Sequence, residues 1–340
     1  MVEISIVIPV YNVEKWIDKC LQSVERQTFT NYEVIIVNDG TEDNSDKIAQ
    51  RYCDKYDNWK IINTPNQGLS KARNEGLKYV NGKYIYFLDS DDYIEDDCLQ
   101  LLYELAEKYQ HDITIGQMKL FSEVIKLDDD VTIGYLIVKD SLPTNIEKFT
   151  LDEFPQIVWL GMICNRLYRS DFIFDRGIYF PDEYIMFEDM TFDYDTLSKA
   201  ESIGMIMDKT YNYLIKPKYN KGNSLQWNYF DDENTQIKRI FDKLSNKKSN
   251  ISKALYYKWL VVDLLSAFVD YDKNTIDYDY IFNEFEKILK DIPYQILDKR
   301  IVDIWDSISE RDIVTLYKKI NKLYDKGHID YNEKIREMVT

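Results

Sequence analysis

Strand-like and helix-like segments alternate through the first third of the chain, and this alternation limits the fold more than any other feature. The predicted strands are short apolar runs at 5–10, 32–37, 59–63 and 84–88. Amphipathic segments separate them, with predicted helices at 13–27, 45–56 and 69–80. Such alternation with short turns predicts an α/β fold, built on a mostly parallel sheet that is flanked by helices.

Polar residues follow three of the four predicted strands. In chain order these clusters are Tyr11-Asn12, Asn38-Asp39-Gly40 and Asp89-Ser90-Asp91-Asp92. In parallel sheets, ligands bind beyond the carboxyl ends of the strands. We therefore expect the three clusters to converge on one crevice.

The acids behind the fourth strand point to a divalent metal. Asp89, Asp91 and Asp92 would repel one another unless a cation or hydrogen-bond donors compensate their charges. Hard oxygen ligands with no nearby His or Cys favour Mg²⁺ or Mn²⁺. The alternative is an acid-rich helix N-terminus, since Asp also caps helices well.

Composition excludes several classes of function. A net charge of −17 argues against nucleic-acid binding. The four cysteines form no CxxC pair, which predicts reduced thiols and a cytoplasmic protein. We expect no signal peptide and no membrane span, while a peripheral position on the cytoplasmic face of a membrane stays open. The two histidines, His111 and His328, lie far from any acid cluster, so we expect a carboxylate as general base.

The turn after the first strand argues against two common nucleotide-binding motifs. It contains no glycine, so it fits neither a dinucleotide fingerprint nor a P-loop. Tyr11 and Asn12 are suited instead to stacking on a base and bonding it. Asp39 could accept a hydrogen bond from an imide N–H, which uracil has and cytosine lacks. A plain turn is the alternative for Asn38-Asp39-Gly40.

Four blocks together resemble the family 2 glycosyltransferases, which are inverting enzymes that use nucleotide sugars. In order, the blocks are residues 5–12, 37–43, 66–74 and 87–92. The resemblance is dense over residues 4–100 and thinner to about 225. It implies a GT-A fold, a UDP-sugar as donor substrate and a divalent cation, Mn²⁺ or Mg²⁺.

The resemblance also implies roles for single residues. Pro9, Tyr11 and Asn12 would line the base pocket, and Asp39 would bond the uracil. Asn38 departs from the family, which more often has a second Asp there. A neutral amide at this position leaves Asp39 as the main acceptor.

Further along, the resemblance assigns the contacts to the rest of the donor. Gly68 would shape the turn before Arg73, which would contact the nucleotide or its phosphates. Asp89 would hold the ribose or a metal-bound water, with Ser90 beside it. Asp91 would coordinate the metal directly.

The general base is expected in the second third of the chain. An inverting transfer needs one carboxylate to take the proton of the attacking hydroxyl. The resemblance assigns this work to Asp189, with Glu188 in reserve, and we expect the helix dipole to lower the pKa of both acids. Helix capping without catalysis is the alternative. The neighbouring acids Asp182, Glu183, Asp193 and Asp195 leave the choice open.

Two basic features are expected near the donor. Arg166 lies in a stretch resembling the family's Asn-Lys-Leu-Tyr sequence, and we expect it under the acceptor or the diphosphate. A surface salt bridge is the alternative. Lys216 and Lys218 are predicted to belong to a loop that folds over the diphosphate.

These observations predict a GT-A catalytic domain over 1–225 and a helical domain over 226–340, which is also a candidate surface for a homo-oligomer. The predicted activity is metal-dependent transfer of a hexosyl or N-acetylhexosaminyl group from a UDP-sugar. The acceptor would be a glycan, a lipid-linked molecule or a glycoprotein in bacterial cell-surface polysaccharide or protein-glycan synthesis. A non-catalytic partner subunit and a haloacid-dehalogenase-like phosphatase are the alternatives.

Overall fold

The computed structural model of the chain describes residues 2–121, 145–154, 157, 162–182, 188–214 and 283. The chain divides into two compact units, Met1–Lys216 and Pro217–Thr340. The predicted helical domain over 226–340, apart from residue 283, lies outside the described residues, as do Lys216 and Lys218. The division of the chain at 225 therefore stays a prediction.

The described part of the first unit contains one eight-stranded sheet. Its strands are β1 (Ile4–Val10), β2 (Tyr32–Asp39), β3 (Trp59–Thr64), β4 (Tyr84–Phe87), β5 (Tyr93–Ile94), β6 (Ile113–Phe121), β7 (Arg166–Arg169) and β8 (Ile203–Leu214). Their order is β3-β2-β1-β4-β7-β6-β8-β5. Strands β1 to β4 are parallel, as the sequence predicts. Strand β7 runs antiparallel to both β4 and β6, whereas β6 and β8 are parallel.

The helices flank this mostly parallel sheet. In the described part they are α1 (Ile17–Glu25), α2 (Ser45–Lys55), α3 (Leu69–Leu77), α4 (Cys98–Tyr109), α5 (Ser170–Asp175) and α6 (Glu188–Lys199). Helix α1 begins later than predicted because Val13 and Trp16 form a turn, in which the Trp16 N–H donates to the Val13 carbonyl at 2.8 Å. None of the described helices is long and apolar enough to cross a membrane.

Close packing fixes α3 against the centre of the sheet. Every residue of β1 and β4 is buried, which is typical of parallel strands with both faces covered. A Cβ added at Gly76 of α3 would lie 2.4 Å from Cγ1 of Val7 in β1. Only glycine therefore allows α3 to approach β1 this closely, and the approach places α3 beside the carboxyl ends of the central strands.

A buried ion pair attaches α6 to β7. Both terminal nitrogens of the Arg166 guanidinium, Nη1 and Nη2, contact the Asp193 carboxylate, and both side chains are almost fully buried. Burial raises the pKa of Asp193 to about 6, although Arg166 opposes this shift. The alternative of a surface salt bridge is therefore wrong, whereas the expectation that Arg166 lies under the acceptor or the diphosphate stays a prediction. Its charge is used inside the protein to hold α6.

His111 is a structural residue at the join between α4 and β6. Its Nε2 lies 2.8 Å from the Glu147 carbonyl, and its Nδ1 lies 2.7 Å from the Ser202 hydroxyl. Because the carbonyl can only accept, Nε2 carries the proton and Nδ1 accepts from Ser202. Burial lowers the pKa of His111 to about 4. The imidazole is thus neutral in the folded protein and has no link to the acid clusters.

We predict that His111 makes stability depend on pH. The unfolded chain binds a proton at His111 below about pH 6.5, whereas the folded protein does so only near its lower pKa of about 4. Stability from this residue is therefore complete above pH 6.5 and is lost as the pH falls towards 4. The loss should amount to roughly 3 kcal/mol, at about 1.4 kcal/mol per pH unit.

Urea unfolding of the wild type and of His111→Gln at several pH values between 4 and 7 measures this effect. The variant should show a flatter pH dependence, because Gln cannot bind the proton. Identical pH dependence in both proteins would contradict the assignment.

Candidate active site

The Asp39 carboxylate at the end of β2 organises the loop that leads into α3. The Gln67 N–H donates to Oδ1 at 2.9 Å, and the Gly68 N–H donates to Oδ2 at 2.8 Å. Gly68 has φ +89°, a conformation that strongly favours glycine, which explains this residue in the motif. Burial raises the pKa of Asp39, although these N–H donors and the Thr64 hydroxyl favour its ionised form.

The turn after β1 joins the turn after β2. The Asn12 N–H donates to the Thr41 hydroxyl at 2.8 Å, and the Glu42 N–H donates to Asn12 Oδ1 at 2.9 Å. Asn12 has φ +51°, a left-handed conformation that Asn tolerates better than most residues. Pro9 pairs with Val37 across the two strands. The structure thus brings the first two polar clusters together, with Tyr11 at the same edge.

Arg73 connects the acids after β4 with the acids at the start of α6. From the middle of α3, its Nη2 donates to Asp89 Oδ1 at 2.8 Å and its Nη1 donates to Glu188 Oε1 at 3.1 Å. The guanidinium also lies over the Phe180 ring, 5.2 Å from its centroid. The Arg73 side chain is only 2% exposed. One buried cation therefore holds the acid motif after β4 beside the acidic N-terminus of α6.

Asp89 is held by contacts on both carboxylate oxygens. Besides Arg73 on Oδ1, the Cys164 thiol donates to Oδ2 at 3.1 Å. The Cys20 thiol lies 3.6 Å from the Asp89 carbonyl. Burial, followed by the charge of Asp89, raises the pKa of Cys164 well above its usual range, so the thiol keeps its proton. Asp89 is thus fixed in orientation while its side chain remains 26% exposed.

The three acids of this motif have different environments. Asp92 is buried and accepts hydrogen bonds from the Tyr211 hydroxyl at 2.6 Å and the Leu214 N–H at 2.7 Å. Burial raises its pKa well above the usual range, and the charges of Asp91 and Asp89 add to the shift. Ser90 is buried, whereas Asp91 is partly exposed. Protein donors thus contact Asp89 and Asp92, as expected for acids that lie this close together.

Glu188 and Asp189 form the first turn of α6, as the sequence predicts. Glu188 is buried, however, and burial raises its pKa even though the Arg73 guanidinium opposes the shift. The expectation that the helix dipole lowers this pKa is therefore wrong for Glu188, because loss of solvent outweighs the dipole. Asp189 is partly exposed at the same helix end.

The acids after β4 fit a cation that is shared with a ligand. Among the residues that the structure describes, no three His, Cys, Asp or Glu side chains are grouped to hold a metal ion. Mg²⁺ commonly takes only one or two protein carboxylates and completes its shell with water and substrate phosphates. The partly exposed Asp91, next to the oriented Asp89, is such a donor set.

Sequence reasoning missed three residues that shape this site. They are Cys164, for which the sequence predicts only a reduced thiol, and Phe180 and Tyr211, for which it predicts no role. Tyr211 pairs with Asp92 across 119 residues of sequence. No local pattern reveals such contacts, because they arise only when β7 and β8 enter the sheet.

Comparison with known proteins identifies the domain. Residues 5–173 match the family described as "Glycosyl transferase family 2". This part of the chain is a family 2 glycosyltransferase domain. The match covers all four blocks of the resemblance, and it argues against the haloacid-dehalogenase-like alternative.

Curated relatives of the family 2 domain come from bacteria. The chain is 35% identical over 217 residues to "Uncharacterized glycosyltransferase EpsJ" of Bacillus subtilis, covering 63% of this chain and 61% of EpsJ. It is 34% identical over 218 residues to "Poly(ribitol-phosphate) beta-glucosyltransferase" of Bacillus spizizenii, covering 63% of this chain and 32% of the relative. The chain therefore spans less than two thirds of the length of either relative.

Solved structures support the GT-A fold. The crystal structure of S. aureus TarS 1-349 has a TM-score of 0.69 at 21% identity, covering 96% of this chain and 92% of that chain. The same fragment is known in complex with UDP-GlcNAc, with a TM-score of 0.66 at 20% identity, covering 96% of this chain and 92% of that chain. At such low identity these likenesses show the fold alone.

We predict that Arg73→Met strongly destabilises the protein. Removal of the guanidinium leaves Glu188 and Asp89 without their shared cation, and breaking a buried pair typically costs about 3–5 kcal/mol. Urea unfolding at pH 7 measures the loss. Arg176→Met is the matched control, since Arg176 pairs with Glu201 at the surface, with side chains 48% and 78% exposed. The control should lose less than about 1 kcal/mol. Equal losses in the two variants would contradict a structural role for the Arg73 pair.

Proposed function

We propose that this protein is an inverting glycosyltransferase that moves a sugar from a UDP-sugar to a hydroxyl of a cell-surface glycan. The family 2 domain supports glycosyl transfer. The observation that carries the proposal is the double contact of Arg73 with Asp89 and Glu188. Through it, one side chain holds Asp89, in the acid motif after β4, and Glu188, in the first turn of α6.

The donor would enter at the joined ends of β1 and β2. Tyr11 and Asn12 supply a ring and an amide at this edge, and Pro9 lies in the adjoining strand end. Asp39 would accept the imide N–H of uracil at Oδ2, which takes only one hydrogen bond from the described residues, from Gly68. The UDP-GlcNAc complex of TarS, a protein of the same fold, supports a uridine donor.

The diphosphate would lie near Asp89, Ser90 and Asp91. A divalent cation there would supply positive charge to the departing diphosphate. We assign Asp91 as its direct ligand, with Asp89 holding the ribose or a metal-bound water. A mannosyltransferase of Pyrobaculum calidifontis, with a TM-score of 0.50 at 11% identity, is known in complex with GDP-Man and Mn²⁺.

Asp189 is the better candidate for the general base. The reaction needs a carboxylate that is ionised, reachable by the acceptor and able to take its proton. Glu188 is buried and accepts a hydrogen bond from Arg73, so its position suits it to holding Arg73 rather than to meeting the acceptor. Asp189 is partly exposed at the N-terminus of α6, where the helix dipole favours a carboxylate. We therefore assign Asp189 to proton transfer and Glu188 to positioning.

The acceptor is proposed by class only. The relatives include a poly(ribitol-phosphate) glucosyltransferase, which supports a hydroxyl-rich cell-surface polymer as acceptor. Lipid-linked and glycoprotein acceptors stay alternatives, as does a non-catalytic partner subunit. The cytoplasmic location, the peripheral membrane position, the homo-oligomer and the loop at Lys216 and Lys218 also stay predictions.

Release of UDP from a panel of UDP-sugars, with Mn²⁺, with Mg²⁺ and with a chelator, tests the proposed function. Turnover that requires the cation is the expected result. Binding of UDP-sugar without turnover in the presence of acceptor polymers would favour the partner-subunit alternative. The absence of both UDP-sugar binding and turnover would overturn the proposal.

We predict that Asp91→Ala weakens metal-dependent donor binding. Without this carboxylate the cation loses its direct protein ligand, so the affinity for UDP measured by calorimetry with Mn²⁺ should fall at least tenfold, or about 1.4 kcal/mol. In the presence of a chelator, the wild type and the variant should bind UDP equally weakly. Unchanged affinity with Mn²⁺ would refute the assignment of Asp91. Asp96→Ala is the matched control, because Asp96 pairs with Arg26 at the surface and should not affect UDP binding.

We predict that Asp189→Asn separates donor binding from transfer. The amide keeps the size of the side chain but cannot take the acceptor's proton, so the rate of transfer should fall roughly 10²- to 10⁴-fold. UDP affinity should change by less than about twofold, since the donor contacts remain. Sugar transfer at the wild-type rate would show that another acid is the base, and Glu188→Gln would be the next variant to measure.

A further inference from the structure

Asn74 makes a two-point contact across the site. It follows Arg73 on α3, and its Nδ2 donates to the Phe180 carbonyl at 2.9 Å. In return the Phe180 N–H donates to Asn74 Oδ1 at 3.0 Å. The side-chain amide therefore satisfies both backbone groups of one residue that is 106 positions away. Such a paired contact fixes the orientation of the Phe180 backbone as well as its position.

The ring of Phe180 packs against α6. It stacks on the Phe192 ring with centroids 4.1 Å apart and an angle of 5° between the planes. Phe87, at the end of β4, packs edge-on against both rings, at 5.3 Å and 5.6 Å. Phe192 lies three positions after Asp189, on the next turn of α6. The position of Phe180 therefore helps to set the position of Asp189.

Helix α3 holds the donor side of the site as well. Its N-cap Gly68 donates to Asp39, and Arg73 donates to Asp89. Arg73 also reaches Glu188, so α3 contacts α6 directly through Arg73 and indirectly through Asn74 and Phe180. Two adjacent residues of one helix thus constrain the N-terminal turns of α6 by two routes, and the two meet where the Arg73 guanidinium lies over the Phe180 ring.

We propose that Asn74 is a positioning residue for the transfer step. It holds Phe180, and through the Phe180–Phe192 stack it keeps Asp189 at the right distance from the bound donor. The proposal rests on the proposed function, because it takes Asp189 as the base. In the described residues, both hydrogen bonds of the Asn74 side chain go to the Phe180 backbone.

Kinetics of Asn74→Ala test this role. Loss of both hydrogen bonds lets Phe180 and α6 shift, and a base misplaced by about 1 Å lowers kcat by roughly 10- to 100-fold. Affinity for UDP should change by less than about twofold, because Asp39, Asp89 and Asp91 remain. Glu75→Ala is the matched control, since Glu75 is the next residue of α3 and pairs only with Lys78 among its described ion pairs. The control should keep the wild-type kcat.

A double-mutant cycle tests the route through Phe180. Phe180→Leu keeps the backbone groups that Asn74 bonds but removes the ring stack, so it should also lower kcat without weakening UDP binding. In the Phe180→Leu background, Asn74→Ala should lower kcat by less than about threefold, because the route is already broken. Fully additive losses would overturn the proposal.

The outcomes separate this inference from the proposed function. If the wild type is active and Asn74→Ala has the same kcat as Glu75→Ala, the inference is overturned. The proposed function is then unaffected. A wild type that turns over no sugar donor overturns both. If Asn74→Ala does not fold, Asn74→Asp decides, since it keeps the acceptor for the Phe180 N–H and loses only the donor. A kcat between those of the wild type and Phe180→Leu supports the proposal, and a wild-type kcat overturns it.

Discussion

The buried guanidinium of Arg73 is the interaction on which the candidate site depends. Its single positive charge pairs with Asp89 on one side and with Glu188 on the other, within a region where unpaired charges would be costly. Because Arg73 is itself fixed on α3, both acids take their positions from that helix. The close approach of α3 to β1, which Gly76 allows, fixes the helix that carries Arg73 against the sheet.

Burial rather than local sequence decides what each acid can do. Asp92 accepts two internal hydrogen bonds and Glu188 pairs with Arg73, and the pKa of each is raised by loss of solvent. Asp91 directly precedes Asp92 in the chain, and Asp189 directly follows Glu188, yet Asp91 and Asp189 stay partly exposed. In both acidic motifs one carboxylate is used to build the site, and another remains accessible to a ligand.

Sequence reasoning predicted the parallel half of the sheet almost residue by residue, because each strand and helix there has a clear apolar period. It also placed the three polar clusters at one edge, a consequence of parallel topology. It could not place Arg166, Cys164 or Phe180, since their partners come from segments more than 25 positions away. The predicted lowering of the Glu188 pKa was wrong for the same reason, because only the folded chain shows how deeply that side chain is buried.

The central claim is that the acids after β4 bind a nucleotide diphosphate together with a cation. A crystal structure of the protein with UDP and Mn²⁺ tests this most directly. The account predicts uracil against Asp39 and Mn²⁺ between Asp91 and the diphosphate, with Arg73 still holding Glu188. Electron density for neither ligand at that edge of the sheet, in crystals of an otherwise folded protein, would contradict it.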